Sequence, residues 1–153
     1  MTHDTTLEKL RRSPLTDDRD LVRFVGGMLH NAITTRLWVI LLDDEMRSTD
    51  VILPLDDAPE DPRAVVAMPS SGPVRAAQMM GERVAKIIDH TPARAVAVVW
   101  ERPGPPGASG DTLLWVGAMR EAFARNPGAL RAQLVLSDEG AHLIGEPVSK
   151  RAA

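Results

Sequence analysis

The stretch ARAVAVVW, residues 93–100, constrains the fold more than any other part of the chain. From Ala95 to Trp100 every side chain is apolar, and three of the six are valine. A short, unbroken apolar run rich in β-branched residues is the pattern of a strand buried on both faces. Directly after it comes ERPGPPGASGD, a charged pair, a glycine- and proline-rich loop and then Ser109, placed to cap a helix. Open α/β sheets put ligand-binding groups at junctions of this kind. The run therefore calls for strands on both sides, helices on both faces and a candidate site at its end.

The flanking sequence supplies those elements. TDDRDLVRFVGGMLHNAITT, residues 16–35, has Leu21, Phe24, Val25, Met28 and Ala32 at helical spacing, with Thr16 as expected N-cap. Gly26-Gly27 weakens that helix by about 1 kcal/mol per glycine relative to alanine, a cost that a close packing contact would explain. Residues 37–42 and 51–55 form two antiparallel strands across a polar turn. VVAM, 65–68, fits either a short edge strand or covered loop. Residues 74–90 form a second helix, with Val74, Ala77, Gly81, Val84 and Ile88 on one face. The helix at 110–125 places Trp115, Met119 and Phe123 in phase. Residues 131–136 and 141–145 form a final hairpin around Asp138-Glu139-Gly140. The order is α-ββ-α-β-α-ββ, an α/β fold with a three-layer mixed β-sheet and flanking helices. Strand–helix–strand units imply parallel neighbours, with 94–100 central and parallel to 131–136. Residues 1–15 are expected to be a flexible lead-in, 16–147 a single domain and 148–153 a tail.

Composition excludes several functions. The chain has no cysteine, which removes disulfides, thiolate nucleophiles and cysteine-ligated zinc. A net charge of −3 and only 3 % aromatic residues argue against a nucleic-acid partner. The longest apolar run, 37–42, is too short to span a membrane, and the first 15 residues lack the apolar core of a signal peptide. A cytoplasmic protein is the expectation. His3, His30, His90 and His142 show no metal-ligand spacing. The acidic residues between Asp43 and Asp61 lack the periodicity of a calcium loop. No G-x-S-x-G occurs, and Ser70-Ser71 has no recognisable histidine partner.

The stretch VAVVWERPGPPGASGDTLLWVGAMREAF, with LRAQLVLSDEGAHLIGE after it, resembles the second half of a JAB/MPN-type domain, in particular the bacterial RadC-like branch. That half runs through an apolar strand, His-x-His-Pro, a Gly/Pro loop, Ser-x-x-Asp opening a helix, and a strand hairpin. The zinc deaminases have a related, cytidine-deaminase-like layout, but H-x-E and P-C-x-x-C are absent here. The resemblance covers residues 37–146 and rests on element order. It implies a zinc site with two histidines, an aspartate and a glutamate base. In this chain Trp100 and Arg102 stand at the two histidine positions and Thr112 at the aspartate position, with Asp111 one place away. The resemblance therefore implies a degenerate domain with no catalytic residue, no metal and no cofactor.

Three functions follow as expectations. The first is a non-catalytic protein-interaction or scaffold domain, binding a protein partner or itself as a homodimer through the N-terminal helix or a sheet edge. The second is a small-molecule or nucleotide-binding regulatory domain using Arg102 and the loop 103–111, whose helix start offers anion-binding N–H groups. The third is a hydrolase of unrecognised arrangement. Trp100, Glu101, Arg102, Ser109 and Asp111 are the candidate ligand or partner surface. Trp100 is either a plug for the vacated site or a partner anchor.

Overall fold

A computed structural model of the chain describes residues 2–68 and 72–145. The expected Ser70-Ser71 pair, residues 146–147 and the tail 148–153 lie outside the described residues. The elements are α1 (Thr2–Arg12), α2 (Asp18–Leu29), β1 (Arg36–Leu42), β2 (Ser48–Leu55), β3 (Val65–Met68), β4 (Gly72–Arg75), α3 (Ala76–Asp89), β5 (Ala95–Glu101), α4 (Gly110–Ala122), β6 (Leu130–Ser137) and β7 (Gly140–Leu143). The main sheet has five strands in the order β2-β1-β5-β6-β7, and β3-β4 is a separate hairpin.

β5 is the middle strand and all seven of its residues are buried. It pairs with β6 in parallel and with β1 antiparallel. The parallel β5-α4-β6 unit is the expected one. The first strand–helix–strand unit differs from expectation. β2 runs parallel to β5, but β1 lies between them, so α3 connects strands that are not neighbours. The tight β1-β2 hairpin already occupies one edge of β1, which leaves its other edge for β5.

Alternation along β5 divides the core. Ala95, Ala97 and Val99 face α1 and α2, where Leu10, Leu21, Phe24 and Val25 cover them. Val96, Val98 and Trp100 face α3 and α4, against Met80, Val84, Trp115 and Met119. The result is a mixed α/β architecture with helices on both faces of the sheet. Among the described residues no helix is long and apolar enough to cross a membrane.

Several local expectations need correction. The lead-in is helix over Thr2–Arg12, and Leu10 and Leu15 are buried. Its polar composition hid one apolar stripe, which packs on α2. The N-cap of α2 is Asp17 rather than Thr16: its carboxylate accepts from the Arg19 and Asp20 N–H groups at 2.8 and 3.2 Å. The helix ends at His30, with φ +64°. Residues 65–68 are a strand, and α3 starts at Ala76, so Val74 lies on β4 instead of the helix face. Ser109 caps α4 as expected, accepting from the Thr112 N–H at 3.2 Å.

The two helical glycine sites have opposite reasons. A Cβ at Gly27 would lie 2.8 Å from the Leu7 side chain, so α1 packs directly on that position. At Gly26 nothing lies within 4 Å. Gly81 of α3 is tighter: a Cβ there would meet the Ala118 carbonyl oxygen at 2.9 Å. Gly81→Ala is expected to destabilise the protein by about 1–3 kcal/mol, because a backbone carbonyl must move. Gly26→Ala is expected to stabilise it by about 0.5–1 kcal/mol through helix propensity alone. Urea unfolding of both variants checks the pair. Equal effects would show that the α3–α4 approach is looser than described.

Candidate functional site: a cleft at the end of the central strand

β5 and β6 end on the side of the sheet where β1 begins and β2 finishes. Beside the β6-β7 turn, three connections cross this edge: residues 30–35 into β1, residues 56–60 after β2, and residues 102–109 into α4. Between them lies a cleft of about 590 Å³, within the usual size of a small-molecule site. Trp100, Trp115 and Met80 form its apolar floor, and Arg102 and Thr112 its polar inner wall. Asp56 and Glu60, both exposed, stand at its rim.

Trp100 is held from two sides. Its Nε1 donates to Gln133 Oε1 at 2.9 Å, and Gln133 Nε2 donates to the Val116 carbonyl at 3.0 Å. Its ring lies 5.9 Å from that of Trp115, at a tilt of 34°. With 2 % of its surface exposed, Trp100 belongs to the core and closes the bottom of the cleft without filling it.

Arg102 stands two residues further on and therefore on the same side. Its guanidinium carbon lies 5.4 Å from the centre of the Trp100 ring. Nε donates to Thr112 Oγ1 at 3.3 Å, while Nη1 donates to the Glu101 and Arg36 carbonyls at 2.8 and 3.3 Å. No carboxylate of the described residues lies within ion-pair distance of it. Burial lowers its pKa from the usual arginine value, and the nearby Glu101 charge opposes that shift. The group remains a cation at any physiological pH.

Glu101 goes to the opposite face. Only 1 % of it is exposed, and its carboxylate accepts four hydrogen bonds. The Ile33 and Thr34 N–H groups donate at 2.5 and 3.1 Å, Arg36 Nε at 2.6 Å and Trp38 Nε1 at 2.8 Å. Burial alone pushes its pKa up, but the bonds from Arg36, Ile33, Thr34 and Trp38 outweigh it and hold the carboxyl below its ordinary value. Glu101 is thus outside the cleft. It fixes the segment from which Thr34, Thr35 and Arg36 line it.

Ser109 and Asp111 line the cleft, but each has another partner. Ser109 caps α4 and donates from Oγ to Thr112 Oγ1 at 3.1 Å, and Asp111 pairs with Arg63 at 2.9 Å. Residues 103–108 are not part of the lining. Of the expected residues, Trp100, Arg102, Ser109 and Asp111 line the cleft and Glu101 does not. The sequence reading missed Thr34, Thr35, Arg36, Asp56 and Glu60. They come from two other connections, and no local motif marks them. No group of three or more His, Asp or Glu side chains among the described residues is arranged to hold a metal ion. No family model, no curated protein and no solved structure matches the chain.

The Glu101 cluster has a measurable consequence. Glu101→Gln is expected to cost about 1–3 kcal/mol, because two of the donors keep a neutral acceptor and two lose a charged one. In the wild type the folded pKa lies below the unfolded one. Its stabilisation is therefore complete above the ordinary glutamate value near 4.5 and is lost as pH falls through the lower, folded value. Urea unfolding as a function of pH should show this acid loss, and the variant should lack that part of it. Parallel pH profiles for the two proteins would mean that Glu101 is not the titrating group.

Proposed function

We propose that this chain is a non-catalytic binding domain whose cleft takes a small molecule by a carboxylate or phosphate group held on Arg102. One observation carries the reading: a partly buried guanidinium lines an open cleft with no carboxylate of the described residues within ion-pair distance of it. Protein cations removed from water are ordinarily paired. Here the acceptors are two carbonyls and a hydroxyl, so a ligand anion supplies the missing charge. Trp100 and Trp115 give such a ligand an apolar floor.

Binding rather than hydrolysis is favoured by the lining. It contains no histidine, and the hydroxyl of Ser109 is engaged in capping. The scaffold reading has weaker support. α1 and α2 use their apolar faces to cover the sheet. The β2 edge carries Pro54 and the left-handed Asp50, at φ +68°, both of which disfavour strand addition.

The JAB-like, RadC-type layout is part of the same proposal. What supports it is the element order around β5 and the meeting of three side chains. Trp100, Arg102 and Thr112, at the positions of the family's zinc ligands, all line the cleft, and Arg102 reaches both of the others. An indole has no lone pair for a metal, and a guanidinium repels one. Purified protein is expected to carry no stoichiometric zinc, and chelator is expected to leave its melting temperature unchanged. Elemental analysis near one zinc per chain would overturn this alignment and restore a hydrolase.

The anion reading is tested with a thermal-shift panel of pyrophosphate, succinate, acetate and adenosine monophosphate against chloride. A ligand at 100 times its dissociation constant stabilises by about 2.7 kcal/mol. That shift should disappear in Arg102→Gln. A flat panel, or a shift that survives in the variant, would sink the proposal.

A further inference from the structure

The cleft's charges are arranged along its depth. Arg102 is at the half-buried inner wall, its guanidinium carbon 5.4 Å from the centre of the Trp100 ring. Asp56 and Glu60 are exposed at the rim, on the connection that follows β2. Other charges near them are paired: Asp57 with Arg83 at 2.9 Å, Asp111 with Arg63 at 2.9 Å, and Arg36 with Glu101 at 2.6 Å. Asp56 and Glu60 have no ion pair or hydrogen bond among the described residues. Three unpaired charges therefore face one cavity, a cation inside and two carboxylates outside.

A simple anion is poorly matched to this arrangement. It must pass two negative charges to reach Arg102, and its outer end gains nothing from them. A molecule with an anionic and a cationic end satisfies both. We infer that the ligand is a zwitterion, an amino acid or short peptide-like molecule, with its carboxylate on Arg102 and its ammonium group toward Asp56 and Glu60. The inference rests on the anion reading of the cleft and narrows it. The hydroxyls of Thr34, Thr35 and Ser109 lie along the same lining and suit the polar middle of such a ligand. The apolar floor of Trp100, Trp115 and Met80 suits a methylene chain.

The two ends can be tested separately by titration with tryptophan fluorescence as the readout, since Trp100 and Trp115 line the cleft. The probes are 4-aminobutyrate, 5-aminopentanoate and 6-aminohexanoate, each beside the acid without the amine and the amine without the acid. The series covers a range of end-to-end spacings. At the best length the amino acid should bind about two- to fivefold tighter than the plain acid, the gain of one exposed ion pair. High salt should reduce that gain. In Asp56→Asn/Glu60→Gln the gain should vanish, with plain acids binding at least as tightly as before. Exposed positions on a connection make loss of folding in that variant a minor concern, and its melting temperature checks it. Plain acids binding as tightly as amino acids would overturn the zwitterion and leave the anion site standing. Amines binding as tightly as amino acids would overturn it as well, and show the rim to be the site. No response to any probe would remove the zwitterion together with the carboxylate form of the anion reading.

Discussion

One buried carboxylate holds the cleft end of this molecule together. Glu101 lies at the last position of the central strand, where the sheet stops and the connections begin. A buried carboxylate is costly unless its lone pairs are filled. Here two backbone N–H groups, a guanidinium and an indole fill them, and all four come from residues 33–38. The segment has few other anchors. Ala32 N–H donates to the Ser137 carbonyl at 3.0 Å and Asn31 to the Asp138 carbonyl at 2.7 Å, both at its start. Thr34, Thr35 and Arg36 face the cleft from the stretch that Glu101 clamps. One wall of the cleft thus depends on a side chain that is not in it.

Period-two alternation explains how adjacent residues serve unlike ends. Trp100 and Arg102 face α3 and α4, while Glu101 faces α2. The Glu-Arg pair looks in sequence like a local ion pair. In the fold each charge looks to its own side. Glu101 is neutralised by Arg36, a neighbour across the antiparallel β1-β5 ladder, where Arg36 stands directly opposite. Arg102 keeps only a distant share of that charge. The strand ending does two jobs at once because the sheet separates them. One face supplies rigid support and the other an uncompensated cation.

The elements that the sequence makes legible are those whose burial leaves a periodic mark. β5, β6, α4 and the β1-β2 hairpin all carry one, and Ser109 caps where a serine before a helix should. α1 was not legible because its single apolar stripe is diluted by charge, at Glu8, Lys9, Arg11 and Arg12. β3 and β4 were ambiguous because four-residue strands give too few alternations to distinguish from loop. The place of β1 beside β5 was hidden for a different reason. Strand adjacency is set by which edge is free, and no residue pattern encodes that. The cleft was half legible. Trp100, Arg102, Ser109 and Asp111 are contiguous in sequence around one junction. Thr34, Arg36, Asp56 and Glu60 reach it from two remote connections, and only the tertiary arrangement makes them neighbours.

The chemistry of Arg102 also bears on why binding is the natural reading of this cleft. A catalyst at a strand end needs a group whose proton or coordination state changes near neutral pH. A guanidinium changes neither: burial lowers its pKa, yet the group keeps its charge at any physiological pH. What it offers is a fixed planar fork of donors with permanent charge. The bonds to Thr112, Arg36 and Glu101, with the Trp100 ring beneath, hold that fork in place, so less side-chain freedom remains to be lost when an anion arrives. The floor beneath is rigid for the same kind of reason, since Gln133 ties Trp100 to α4. A preorganised cation over an aromatic floor is the arrangement on which the proposed ligand binding rests.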